Sequence, residues 1–157
     1  MRDSEIGEND WRATQQGGEK TKMVAVDITY DGNKKCTLRH QEGAVIRTDA
    51  PRDIGGDATA FSPTDLVAAA LGTCIVTTMA MFAERHGLDL AGARVHVTKE
   101  MATDPVRRIG KLATTVTLNA GSVPEEMRAT LERVGQTCPV KKSLHPDTEA
   151  PIEFVYK

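Results

Sequence analysis

The sequence lacks clustered positive charge. Its 20 Lys and Arg residues stand against 22 Asp and Glu, a formal net charge of −2, and the pairs Lys34-Lys35, Arg107-Arg108 and Lys141-Lys142 are scattered. Phosphate recognition needs cations gathered on one face, so neither a nucleic acid nor an anionic membrane is an expected partner. The opening residues, MRDSEIGEND, carry charge and have no apolar stretch, which does not suit a secretory leader. Cysteine is sparse and odd in number, three in 157 residues. A secreted disulfide scaffold is therefore not expected, and reduced thiols in a cytoplasmic protein are. The four histidines (His40, His86, His96 and His145) include no H-x-x-x-H pair, and Cys138 with His145 is a poor metal spacing. Gly55-Gly56 matches neither GxGxxG nor a phosphate loop. Nothing here calls for a metal or a nucleotide.

What is present reads as one globular domain. Hydrophobic residues make up 39% and charged residues 27%, an ordinary balance in a chain long enough to bury a core. Residues 1–21 are polar and without periodicity, a flexible tail in which Trp11 stands alone. The domain itself is expected over residues 22–157. Alternation in Met23, Val24, Val26, Ile28 and Tyr30 predicts a strand closed by Asp31-Gly32. Strands at 35–40 and 44–47 should complete an antiparallel meander. Residues 48–62 form a long, breaker-rich loop, a common place for function.

A long helix then begins on clear signals. Ser62 suits the N-cap, Pro63 the first helical position, and Asp65 completes a variant capping box. Gly87 should end it, with Arg85 and His86 against the negative terminus. From Leu66 to Ala83 there are 18 residues without a charge. That is the lower edge of a membrane span, but Ala, Thr and Gly fill much of it and no Trp or Tyr anchors flank it. A central buried helix is the better expectation. Strands near 92–101 and 108–119 follow, then a helix from Pro124 to about Val134, a short helical piece from Cys138-Pro139 and a last strand at 152–156. Blocks of strands and helices imply α+β, with antiparallel sheets wrapped on a central helix.

The chemistry-bearing residues are thiols. Cys74 shares a stripe with Val67, Leu71, Thr78 and Phe82, so it faces packing and reads equally as a small core residue. Cys138 opens a helical turn, where free N–H groups stabilise a thiolate. The two lie 64 residues apart, both on helices, and suit a reversible disulfide whose closure depends on their separation. Cys36 alternates with apolar neighbours in a strand and reads as structural.

The stretches APRDIGG…SPTDLVAAALGTC, AMFAERHGL and LERVGQTCPVKKSL together resemble the OsmC/Ohr family, the osmotically inducible and organic hydroperoxide resistance proteins. The resemblance spans about residues 22–157. It implies an intertwined homodimer with sites at the subunit interface. It implies that Cys74 is the peroxidatic cysteine, attacking an organic hydroperoxide to release the alcohol and become a sulfenic acid. Cys138 would then close a disulfide that a dithiol reductant reopens, with no cofactor. An arginine beside the reactive thiolate is also implied; Arg52 matches best and Arg47 second. One departure stands out. The peroxidase branches carry a glutamate after the helix-opening proline, and here that position is Thr64. A redox-sensing or small-molecule-binding role on the same fold is the alternative it raises.

Overall fold

A computed structural model describes residues 23–157; the tail expected over 1–21, Trp11 included, lies outside them. Eleven-residue to four-residue strands and three helices alternate in the blocks that the sequence implies. The first three strands, β1 (Val26–Gly32), β2 (Lys35–His40) and β3 (Val45–Thr48), form an antiparallel meander in the order β1-β2-β3. Their first hairpin turns at Asn33-Lys34, two residues beyond the expected Asp31-Gly32. Both turn residues have positive φ (51° and 62°), the twist that a two-residue hairpin requires.

The loop after β3 is folded on itself. Asp49, 1% exposed, accepts hydrogen bonds at Oδ2 from the Thr59 amide (2.9 Å) and hydroxyl (2.6 Å). Ala58 N–H donates to the Ala50 carbonyl. Gly56 lies so close that an added Cβ would sit 1.8 Å from that same carbonyl oxygen. No side chain fits there, which explains one of the two adjacent glycines.

Helix α1 (Pro63–Arg85) carries the caps read from the sequence. Ser62 Oγ accepts from Asp65 N–H and Asp65 Oδ2 accepts from Ser62 N–H, a complete capping box. At the other end Gly87 has φ 71°, Gly87 N–H reaches Glu84 O and Leu88 N–H reaches Ala83 O. These two bonds make a Schellman ending.

The second sheet joins β4 (Arg94–Ala102), β5 (Arg108–Leu118) and β6 (Ile152–Tyr156) in that order. β4 and β5 are antiparallel, whereas β5 and β6 run parallel. This corrects the all-antiparallel expectation: α2 (Glu125–Gly135) and α3 (Pro139–Ser143) fill the crossover that a parallel pair needs. The core lies between this sheet and the helices. Leu71, Ile75 and Met79 of α1 meet Leu112, Val116 and Leu118 of β5 and Leu131 of α2, all essentially without exposure. Each such side chain contributes about 1.5–3 kcal/mol on burial. Gly72 lets β4 approach, since a Cβ there would meet Val97 Cγ2 at 2.9 Å.

α1 is less enclosed than a central helix should be. It is long and apolar enough to cross a bilayer, with mean hydropathy 2.0 over its 18-residue window, yet only 33% of that window is buried. Its contacts run to α2, α3, β4 and β5, and Ala69, Ala70, Thr73, Thr77 and Met81 remain exposed on the other side. The first sheet does not cover them within the chain.

Candidate functional site

Helix packing determines which residues meet. The last turn of α2 lies close on α1 because Gly135 has no side chain: an added Cβ would stand 3.0 Å from Met79 Sδ and 3.1 Å from Phe154. From that contact a tight turn, with Thr137 N–H bonded to Val134 O, leads into Cys138. Pro139 then starts α3 at its first helical position. The result places the fully buried Cys138 thiol beside the half-buried thiol of Cys74. Both are free thiols.

The two sulfurs do not have equal surroundings. Cys138 is the N-cap of α3, and its Sγ accepts the Lys141 backbone N–H at 3.3 Å. Burial pushes the Cys138 thiol above its ordinary range, and the neighbouring Cys74 adds to the push. The Lys141 and Val140 amides act against it without prevailing. Cys138 therefore keeps its proton at neutral pH. One turn of α1 before Cys74, an apolar cleft of about 460 Å³ opens between Leu66, Val67 and Ala70 on α1 and Pro139, Val140 and Leu144 on the α3 side; neither thiol lines it. It is a fitting approach for an apolar molecule to the Cys74 side of α1.

The arginines stand elsewhere. Arg52 begins a 3-10 turn at 52–54 in the folded loop, and it is exposed. Arg47 is exposed on β3 and lines a separate cavity of about 490 Å³ with Lys35, Cys36 and Thr48. Among the described residues neither side chain forms an ion pair, and neither lines the cleft beside the thiols. Cys36 is half-buried in that second cavity, away from the other two cysteines, in register with Tyr30 and Thr48.

Thr64 is not idle. Lys99 of β4 donates from Nζ to Thr64 Oγ1 at 2.7 Å and to Asp65 Oδ1 at 2.5 Å. A lysine of the same chain thus occupies the start of α1, where the sequence resemblance places a glutamate. Asp65 does two tasks, capping the helix and pairing with Lys99; its carboxyl lies below the ordinary range despite burial, through the Lys99 and Ser62 bonds. Sequence reasoning missed Lys99, because a lysine in a long alternating strand looks like any exposed charge.

The chain's likenesses to known proteins are of family and fold. A family model for OsmC-like protein matches residues 55–153. Among solved structures, a Psychrobacter arcticus protein provisionally assigned to osmotic stress induction and detoxification response is 35% identical, covering 89% of this chain and 98% of that one with a TM-score of 0.77. An organic hydroperoxide resistance protein OsmC from Legionella pneumophila is 14% identical over 87% of this chain and 99% of its own, TM-score 0.67. Bacillus subtilis OhrB, an organic hydroperoxide resistance protein, is 16% identical over 84% and 97%, TM-score 0.62. These last two likenesses are of fold. No curated protein matches the chain.

Proposed function

The chain belongs to the OsmC-like protein family, and from that premise we propose that it is a thiol-dependent peroxidase reducing organic hydroperoxides in oxidative stress defence. The observation that carries this reading is the proximity of the Cys74 and Cys138 thiols, one half-buried on α1 and the other fully buried with its proton retained. Cys74 is the nucleophile. Its thiolate attacks the outer peroxide oxygen, the O–O bond breaks, and the alkoxide leaves as the alcohol once protonated. Cys74 becomes a sulfenic acid. Cys138 then attacks that sulfur, its proton and the hydroxyl leave as water, and a disulfide forms. A dithiol reductant returns both thiols, a cycle that suits a reducing cytoplasm.

Among the described residues neither Arg52 nor Arg47 lines the cleft on the Cys74 side of α1, and a second copy would supply such a cation. The exposed face of α1 and the exposed apolar side chains of the first sheet call for a cover of apolar chemistry. An intertwined homodimer meets both needs, bringing Arg52, or Arg47, of one copy to Cys74 of the other. Arg52 is the first choice, since its loop is fixed by Asp49.

The Lys99 bond to Thr64 and Asp65 favours a second reading, a redox sensor or small-molecule-binding protein with weak turnover. An arginine arriving there meets a hydroxyl and a carboxylate already engaged by a cation. One experiment separates the two. Reduced protein is treated with cumene or t-butyl hydroperoxide, free thiols are counted, and linkages are mapped by mass spectrometry. The peroxidase reading expects loss of two thiols, a Cys74–Cys138 disulfide and repeated turnover with a dithiol. It also expects Cys138→Ser to consume one equivalent and leave Cys74 oxidised. Cys74 remaining reduced in excess peroxide would end this reading; oxidation without turnover would favour the sensor.

A further inference from the structure

Cys138 has a second task, independent of its reactivity: its side chain caps a helix. Sγ accepts the Lys141 backbone N–H at 3.3 Å, and Pro139 at the first helical position brings no N–H of its own. Five residues are too few for a helix to sustain itself in water. The other bonds of α3 are few and mostly long. Lys142 N–H reaches Cys138 O at 3.2 Å, Leu144 N–H reaches Lys141 O at 3.4 Å, and Ser143 Oγ donates to Pro139 O at 2.9 Å. Pro139, Lys142 and Ser143 are exposed, while Val140 and Leu144 pack against the core. The cap is therefore a large share of what keeps α3 closed.

The end of α3 is also a partition. Val140, Ser143 and Leu144 wall the cleft of about 460 Å³ toward α1. Ser143 and Leu144 wall a second cavity of about 520 Å³ on the other side, with Val106, Ile109 and His145. We infer that α3 is a redox-sensitive flap: the free Cys138 thiol caps it shut, and a Cys74–Cys138 disulfide removes that cap, loosens α3 and opens the partition between the two cavities. The direction of movement follows from packing. Cys74 sits on α1 among Leu71, Ile75 and Met79, which are wholly buried. Joining the sulfurs therefore draws Cys138 toward α1, off the line to Lys141 N–H, and the short surface helix yields rather than the long core one. The inference takes its purpose from the peroxidase reading. A dithiol must reach a sulfur of the disulfide, and Cys138 has no exposure while α3 is closed. The bond that has to be reduced is thus the one that admits the reductant.

The test uses diamide, whose N=N bond takes up the two electrons and two protons that a pair of thiols gives up in joining. A Cys36→Ser background leaves Cys74 and Cys138 as the two cysteines of the chain. Amide exchange is followed at Lys141, Lys142 and Leu144, with Leu71 and Val116 as core references. Closing the disulfide should speed the three α3 amides by roughly five- to tenfold and leave the references unmoved. Reduced Cys138→Ala loses the cap without gaining a bond, and should exchange like the oxidised parent. Reduced Cys138→Ser keeps a capping atom, an oxygen that accepts better than sulfur, and should stay as slow as the reduced parent with or without diamide. Should Cys138→Ala fold poorly, Cys74→Ser retains the cap and cannot close, so diamide should leave its α3 exchange unchanged. A mapped Cys74–Cys138 disulfide with α3 as protected as in the reduced protein overturns the inference. Slow exchange in Cys138→Ala, or thiols that diamide cannot join, does the same. A disulfide that diamide makes and hydroperoxide does not overturns the peroxidase reading instead, and the exchange comparison stands on its own.

Discussion

The two sheets are made of the same material and are treated in opposite ways. In the second, β5 turns Leu112, Thr114, Val116 and Leu118 inward, each at 2% exposure or less. In the first, Val26, Ile28 and Tyr30 of β1 are 49%, 64% and 66% exposed, and Val45 and Ile46 of β3 about as open. Apolar side chains held on a strand in water contribute nothing to folding of the single chain. The contrast is that, among the described residues, nothing covers the apolar side chains of the first sheet, and the proposed homodimer would. The uncharged, uncovered face of α1 is the matching half of the same need, which is why the homodimer belongs to the functional proposal rather than beside it.

The sharpest way to break this comparison is to truncate one side chain from each sheet. Leu112→Ala should destabilise the protein by roughly 2–5 kcal/mol, from lost burial and the cavity left behind. Ile28→Ala, in an isolated chain, should stay within about 0.5 kcal/mol. In a dimer it should cost more, and more at low protein concentration than at high. Denaturant unfolding at two protein concentrations, with the mass in solution from ultracentrifugation, decides the matter. An Ile28→Ala effect that is small and indifferent to concentration would mean that the first sheet faces only water.

A second prediction sharpens the link between that sheet and the thiols. Arg52→Ala should slow oxidation of Cys74 by about tenfold or more and move its pH–rate profile to higher pH, since a cation near a thiolate favours the ionised form. The fold should be unaffected, because the Arg52 side chain forms no ion pair among the described residues. An unchanged profile would transfer the role to Arg47, whose place on β3 gives it the same access to a second copy.

The legible parts of the molecule were the local ones. Ser62, Asp65 and Gly87 mark the ends of α1 because caps are satisfied within a few residues, and Cys138-Pro139 marks α3 for the same reason. The parallel pairing of β6 with β5 was not legible, since partners such as Thr114 and Ile152 lie 38 positions apart and alternation looks the same in either direction. Nor could alternation tell the first sheet from the second: β1 repeats the pattern of a half-buried strand, yet no described segment buries it. At the site, the pairing of Cys74 with Cys138 was suggested by residue type. The bonds around it were not, because Lys99 and Lys141 acquire their meaning only from the helix ends they reach.

The loop between the sheets gives the mildest test, and it depends on sign. Asp49 is held well below the ordinary carboxyl value of 3.8, chiefly by the Thr59 hydroxyl and N–H, with Lys35 also paired to it at 3.4 Å. A carboxyl depressed by folding stabilises the folded state at pH above its unfolded value, and that contribution is lost as pH falls toward the folded value. Lys35, paired with Asp57 and Asp49, is raised above its ordinary 10.5. Its contribution is therefore complete below that value and is lost only in strong alkali. From pH 7 down to about pH 4 the loop should thus hold, and below that it should loosen while the second sheet stays packed. Amide exchange at Ala58 and Thr59, whose N–H groups donate to Ala50 O and Asp49, reads this directly. Asp49→Asn should exchange faster at pH 7 and lose most of the acid dependence, with β5 amides unmoved. If the loop amides of Asp49→Asn match the native protein at every pH, the carboxylate does not hold the loop, and Arg52 needs another support.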